Sequence, residues 1–153
     1  MALPPFQLAL DQHRDSLARF LVATVGPNDA DDCLQETLIS ALRAYPRLRS
    51  DSNVRAWLFT IARNKALDEH RARTRRPVPV AAGVESGSAD PDSADAELWG
   101  LVRELPPKQR AAVVLRFVND LPHSDIARVL DCSEAAARRS LHEGLAKLRE
   151  EWT

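Results

Sequence analysis

Ala30-Asp31-Asp32-Cys33-Leu34-Gln35-Glu36-Thr37-Leu38 holds the pattern on which the fold of this chain turns. Ala30, Leu34 and Leu38, continued by Ala41 and Tyr45, recur at helical spacing as an apolar stripe, while Asp32, Gln35, Glu36, Ile39 and Arg43 line the opposite side. One face therefore seeks a core, and the other meets water or a partner. Upstream, Phe6, Leu10, Leu17 and Leu21 make a stripe of the same period, and Gly26-Pro27-Asn28-Asp29 separates the two. Downstream, Pro46 ends the pattern, and Ser50-Asp51-Ser52-Asn53 offers capping side chains for a third helix with apolar positions Val54, Trp57, Leu58 and Ile61. No stretch alternates with the period of a strand. The fold class is all-α, and residues 1–76 form a first domain of about three helices.

Residues 77–94, PVPVAAGVESGSADPDSA, mix Pro, Gly, Ser and Asp without any period, the composition of a flexible linker. Residues 95–153 then read as a second small helical domain. A short helix runs from Asp95 to Leu105, Pro106-Pro107 opens the next in the first-turn position that suits proline, and Ala111 to Val118 continues it. Ser124 to Leu130, the turn Asp131-Cys132-Ser133, and Glu134 to Arg149 have the spacing of a helix-turn-helix, with Ser133 placed to cap the last helix.

A chain of 153 residues with 44% apolar side chains can bury modest cores without covalent staples. Cys33 and Cys132 form no CxxC pair and have no His at metal-ligand spacing, which argues against a disulfide or a zinc site and for a reducing compartment. The N-terminal MALPPFQLALDQHRD lacks a cationic leader before an apolar run, and no segment has the length of a membrane span, so the expected location is cytoplasmic. The net charge of −1 hides an uneven distribution: Val54 to Arg76 carries seven Lys or Arg against two acids, Pro27 to Ile39 four acids and no base, and Glu85 to Glu97 five acids and no base. Separate surfaces with different partners follow, one partner being anionic. The opposite charges also suggest that residues 85–97 lie against the basic 54–76 segment in the free chain.

On the second helix, Asp31, Asp32, Gln35, Glu36 and Ile39 form a mostly acidic row, which is either a solvated face or a partner surface; the isoleucine within it favours a partner. A metal-dependent nuclease site at Asp31, Asp32 and Glu36 ranks last, since no His or further carboxylate completes it. The third helix grows basic toward its end. Asn64, Asp68, Arg71 and Arg75 fall on one line with Arg63, Lys65 and Arg73 nearby, a pattern that neutralises phosphates, and Asp68 orients Arg71 or Arg75. Trp57 and Phe59 read both as core and as platforms on which unpaired bases stack. On the last helix, Arg138, Arg139, Ser140 and His142 are candidates to enter a major groove, with Ser133 at its start.

In this order the elements resemble the extracytoplasmic-function (ECF) sigma factors, bacterial transcription initiation factors, over nearly the whole chain. Residues Ala30 to Leu38 are similar to the region-two helix that docks on the polymerase clamp, and the similarity continues in Val54-Arg55-Ala56-Trp57-Leu58, in Ile61-Ala62-Arg63-Asn64 and at Asp68. Leu105-Pro106-Pro107-Lys108-Gln109-Arg110 and Asp125-Ile126-Ala127-Arg128-Val129-Leu130 look like the start of region four and the first helix of its DNA-binding motif. The resemblance implies a protein that binds core RNA polymerase and promoter DNA without a cofactor or catalytic site, and that an anti-sigma protein holds inactive. It places Asp31, Asp32, Gln35, Glu36 and Ile39 against the polymerase. Ser52, Asn53, Arg55, Trp57, Arg63, Asn64 and Arg71 would meet the melted −10 element, and Ser133, Arg138, Arg139, Ser140 and His142 the −35 duplex. Three departures bear on this. Asp131 stands where the family usually has Gly in the turn, a residue that tolerates left-handed geometry. Ser140 and Glu143 replace arginines, and Gly144 replaces alanine at about 1 kcal/mol in a helix. The alternative is a sigma-like regulator that does not initiate but binds DNA or sequesters a partner.

Overall fold

Apolar stripes on three consecutive helices close on one another, and the computed structural model, which describes residues 3–75 and 93–152, shows them doing so. Helices α1 (Phe6–Val25), α2 (Pro27–Ala44) and α3 (Val54–Arg75) form one group, with a short 3-10 turn at Tyr45–Arg47; α4 (Ser93–Glu104), α5 (Pro107–Phe117), α6 (His123–Leu130) and α7 (Glu134–Trp152) form another. No strand occurs among the described residues. The core of the first group joins Leu17, Phe20 and Leu21 of α1, Ala30, Cys33, Leu34 and Ala41 of α2, and Leu58, Phe59 and Ala62 of α3. At its centre the Phe20 and Phe59 rings meet edge to face, 5.6 Å apart, a geometry that adds to what their buried area contributes.

Local chemistry sets the helix ends. The break before α2 is a single residue: Gly26 takes φ 91, which side chains with a Cβ avoid, and Pro27 to Asp29 already form the first turn of α2. Asn53 caps α3, its Oδ1 accepting the Ala56 N–H at 3.0 Å, and Ser133 caps α7 in the same way through the Ala136 N–H at 3.0 Å. Asp131 adopts the left-handed conformation expected of it, φ 56 and ψ 53. Its N–H and that of Cys132 then close on the carbonyls of Arg128 and Ala127, ending α6 and aiming α7.

Gly144 has a packing reason absent from its helix propensity. A Cβ there would stand 2.9 Å from Val113 Cγ2 and 3.3 Å from the Gln109 backbone oxygen, so the glycine lets α7 approach α5. Arg110, almost fully buried, turns its Nη2 onto the Leu105 carbonyl at 2.9 Å and fastens the end of α4 to α5. Of the expected linker, residues 77–92 lie outside the described residues, while Ser93 and Ala94 open α4 ahead of the expected Asp95. Residues 85–92 of the acidic stretch also lie outside them. The described remainder belongs to α4, which packs on α1, α5 and α7.

The two groups touch. Helix α6 lies on α3, and α4 and α5 lie on α1. Asn119, in the turn after α5, donates from Nδ2 to the Ser16 carbonyl at 2.8 Å and to the Ser16 hydroxyl at 2.9 Å.

Candidate functional surfaces

The burial of the α2 stripe forces its other side outward. Asp31, Asp32, Gln35, Glu36 and Ile39 are all exposed and share that side. Leu42 extends it and was not among the expected residues, although its place three residues after Ile39 was a readable signal; the two side chains are 49% and 58% exposed, an apolar spot beside acids. Apolar side chains ringed by polar ones mark contact surfaces. Beneath the row, the Cys33 thiol is pushed up to about 11, first by burial and then by the carboxylates of Glu69, Glu36, Asp32 and Asp68, so it stays a protonated core residue. No cluster of three or more His, Cys, Asp or Glu side chains able to hold a metal ion occurs among the described residues.

The candidates on and before α3 divide into two sets. Asn64 and Arg71 are exposed, and Arg71 lies 3.9 Å from the Asp68 carboxylate in a pair that water screens, which leaves its guanidinium available. Ser52, Asn53, Arg55, Trp57 and Arg63 are half-buried. Asn53 and Arg55 both donate to the carboxylate of Asp125 on α6, at 3.0 and 2.6 Å. Burial lowers the pKa of Arg63, against the opposing influence of Cys132 and Asp131 in the helix-turn-helix turn, and the guanidinium remains a cation. Trp57 tilts against Tyr45 at 6.0 Å, and Tyr45 meets Phe6 edge-on at 5.1 Å while its hydroxyl donates to the Pro4 carbonyl.

Two expectations on α3 need correction. Phe59 is fully buried against Phe20 and offers no surface to a base. Arg73 does not stand free for phosphate. It pairs with Asp29 and, at 3.5 Å, with Glu69, and donates to the Val25 carbonyl at 3.3 Å, pinning the end of α3 to the corner between α1 and α2.

On α7, Arg138, Arg139 and His142 are exposed and Ser140 is half-buried. Arg138 has Glu134 one turn back at 3.3 Å, and Ser133 is engaged as the cap. Glu143 accepts a long hydrogen bond, 3.5 Å, from Gln109 of α5, which draws it toward its own helical group.

The two helical groups have counterparts in known proteins. Residues 9–76 match the family model of sigma-70 region 2, and residues 95–148 that of sigma-70 region 4. The RNA polymerase sigma factor CarQ of Myxococcus xanthus is 36% identical over 129 residues, which span 79% of this chain and 73% of that protein. The chain belongs to the ECF sigma factor family. Sigma factors of this family are transcription factors that bind RNA polymerase for promoter-specific initiation. Among solved structures, the sigma factor RpoE in complex with the anti-sigma factor NepR from Bartonella quintana shares the fold, with a TM-score of 0.76 at 23% identity over 95% of this chain and 94% of that one. CnrH, solved with the cytosolic domain of CnrY, gives 0.73 at 26% identity over 95% and 85%. In this sigma factor the region-2 match spans α1 to α3 and the region-4 match α4 to α7. No helix among the described residues is long and apolar enough to cross a membrane.

Proposed function

We propose that residues 1–76 dock on core RNA polymerase through the outer side of α2 and hold the melted −10 strand with α3, while residues 95–153 place α7 on the −35 duplex and residues 77–94 link the two. The observation that carries this reading is the α2 row itself: Asp31, Asp32, Gln35, Glu36, Ile39 and Leu42 are all exposed on a helix whose other side is core. Ser52, Asn53, Arg55, Trp57, Arg63, Asn64 and Arg71 are the −10 set, and Ser133, Arg138, Arg139, Ser140 and His142 the −35 set. Exposed arginines on a helix supply the phosphate contacts that position such a protein, and base edges supply the sequence. The sigma factor works in the cytoplasm with no cofactor, and an anti-sigma protein restrains it, as NepR accompanies RpoE.

The test is complex formation with core polymerase by the intact chain and by a variant carrying Asp32→Arg and Glu36→Arg. Binding that the reversals abolish supports the reading. No binding by the intact chain, where another sigma factor binds, favours a non-initiating sigma-like regulator. One observation speaks for that alternative: part of the −10 set is engaged by the chain's own α6.

A further inference from the structure

Among the contacts between the two helical groups, one is a buried carboxylate. Asp125, in the first turn of α6, keeps 8% of its side chain exposed, and both its oxygens are taken by the segment that opens α3. Arg55 Nη2 donates to Oδ2 at 2.6 Å, and Asn53 Nδ2 donates to Oδ1 at 3.0 Å. A carboxylate removed from water requires such partners, and here both come from the other group. Asn53 is used at both ends, since its Oδ1 caps α3. Further along α3, Arg63 is half-buried and its buried Nε has no protein partner. Asn119 ties the same two groups a second time through Ser16.

Asn53, Arg55 and Arg63 all belong to the set assigned to the melted −10 strand. A phosphate and the Asp125 carboxylate are anions that compete for the same guanidinium. The carboxylate is carried on the same chain, so its effective concentration is high, and α6 lies on α3 with Asp125 held at Asn53 and Arg55.

We propose that Asp125 is an interdomain latch: in the free chain it closes α6 over Asn53 and Arg55, and this part of the single-strand surface opens only when the two helical groups part. This rests on the −10 assignment made above. The latch makes strand binding conditional on the two groups being held apart, so an unassembled chain stays off single-stranded nucleic acid. A strand-competent form populated only in part lowers apparent affinity by that fraction.

The experiment uses the full chain with Asp125→Ala and, independently, Asn119→Ala, which touches neither α3 nor Asp125. Small-angle scattering reads the separation of the groups, and fluorescence anisotropy of a short labelled single strand of mixed sequence reads access to α3. Asp125→Ala is expected to enlarge the radius of gyration and tighten strand binding several-fold, and Asn119→Ala to act in the same direction more weakly. Circular dichroism checks that each variant is folded; if Asp125→Ala is not, Asn119→Ala carries the test. Unchanged scattering in the folded variants overturns the latch. Expansion without tighter binding overturns the masking when Arg55→Ala in the assembled holoenzyme weakens retention of the −10 strand. If Arg55→Ala leaves that retention unchanged, the −10 assignment is what has failed, and scattering alone then decides whether Asp125 holds the groups together.

Discussion

On α2, the exposed acids, Ile39 and Leu42 stand along a side that the rest of the described chain leaves open; at the start of α3, Asn53 and Arg55 are held by Asp125, and further along it Arg63 is half-buried. Both surfaces are built on amphipathic helices of one three-helix group, and both carry charge. They differ in what their charge attracts within the chain. Among the described residues Asp31, Asp32 and Glu36 of α2 enter no ion pair, the α2 carboxylate that does being Asp29 with Arg73, whereas Arg55 at the opening of α3 finds Asp125. Under the proposed assignments and latch, an open side on α2 beside a covered one on α3 would order events so that polymerase is engaged first and the strand afterwards.

The first way to sharpen the contrast separates what on α3 is core from what is surface, and it carries the largest expected effect. Phe59→Ala should cost about 3–5 kcal/mol in chemical denaturation, because a fully buried ring leaves a cavity against Phe20. Half-buried Trp57, changed to alanine, should cost clearly less while weakening retention of the −10 strand in the holoenzyme. Equal stability losses with unaltered strand binding would assign Trp57 to packing.

The open side is tested by Ile39→Asp combined with Leu42→Asp. Two contact residues of about 1.4 kcal/mol each loosen core polymerase binding roughly a hundredfold. The thermal midpoint should stay where it is, since both side chains are exposed. A lowered midpoint would mean that the α2 row serves the chain's own packing, and the contrast with α3 would collapse.

A smaller effect bears on the group that does the covering. Propensity alone predicts that Gly144→Ala stabilises α7 by about 1 kcal/mol. The added Cβ would press on Val113, a side chain stiff at χ1, and on the Gln109 carbonyl, and overpacking of this kind costs about 1–3 kcal/mol. The expected outcome in urea is a net loss of about 1 kcal/mol or more, dominated by overpacking. A gain would show that α5 and α7 relax apart easily.

Much of this molecule could be read from the chain because it depends on near neighbours in sequence. The α2 stripe, the caps at Asn53 and Ser133, and the left-handed Asp131 each follow from spacing and side-chain chemistry within a few residues. What escaped depends on contacts between distant segments. Asn53 and Arg55 meet an aspartate more than sixty residues away, and periodicity carries no information about which acid a basic helix will find. Phe59 and Trp57 sit two positions apart on one helix, and only the placement of α1 decides which is buried. Gly144 looks like a weak point in a helix until α5 is laid against it. The connector's acids suggested a contact with the basic 54–76 segment, but nothing in the sequence signalled that α6 would be what lies on α3.

The smallest expected effect concerns pH and lies on the covered side. His13 of α1 has its pKa lowered from 6.5 by burial and then by the Arg55 guanidinium, so the folded chain resists charging it. His123, at the start of α6, is lowered in the same direction by desolvation, Arg138 and Arg116. In the unfolded chain both take up protons near 6.5. Between that value and their lower folded pKa values the unfolded state therefore binds more protons, and stability must fall as pH falls. A protonated His13 would also set a second cation beside Arg55 and oppose the closure that Asp125 holds. Urea midpoints should decline from pH 7.5 to 5.5, a range above the usual carboxylate titrations, and His13→Gln should flatten part of that decline. An unaltered decline in His13→Gln would leave His123 as its source and would remove pH from the account of how the α3 surface is covered.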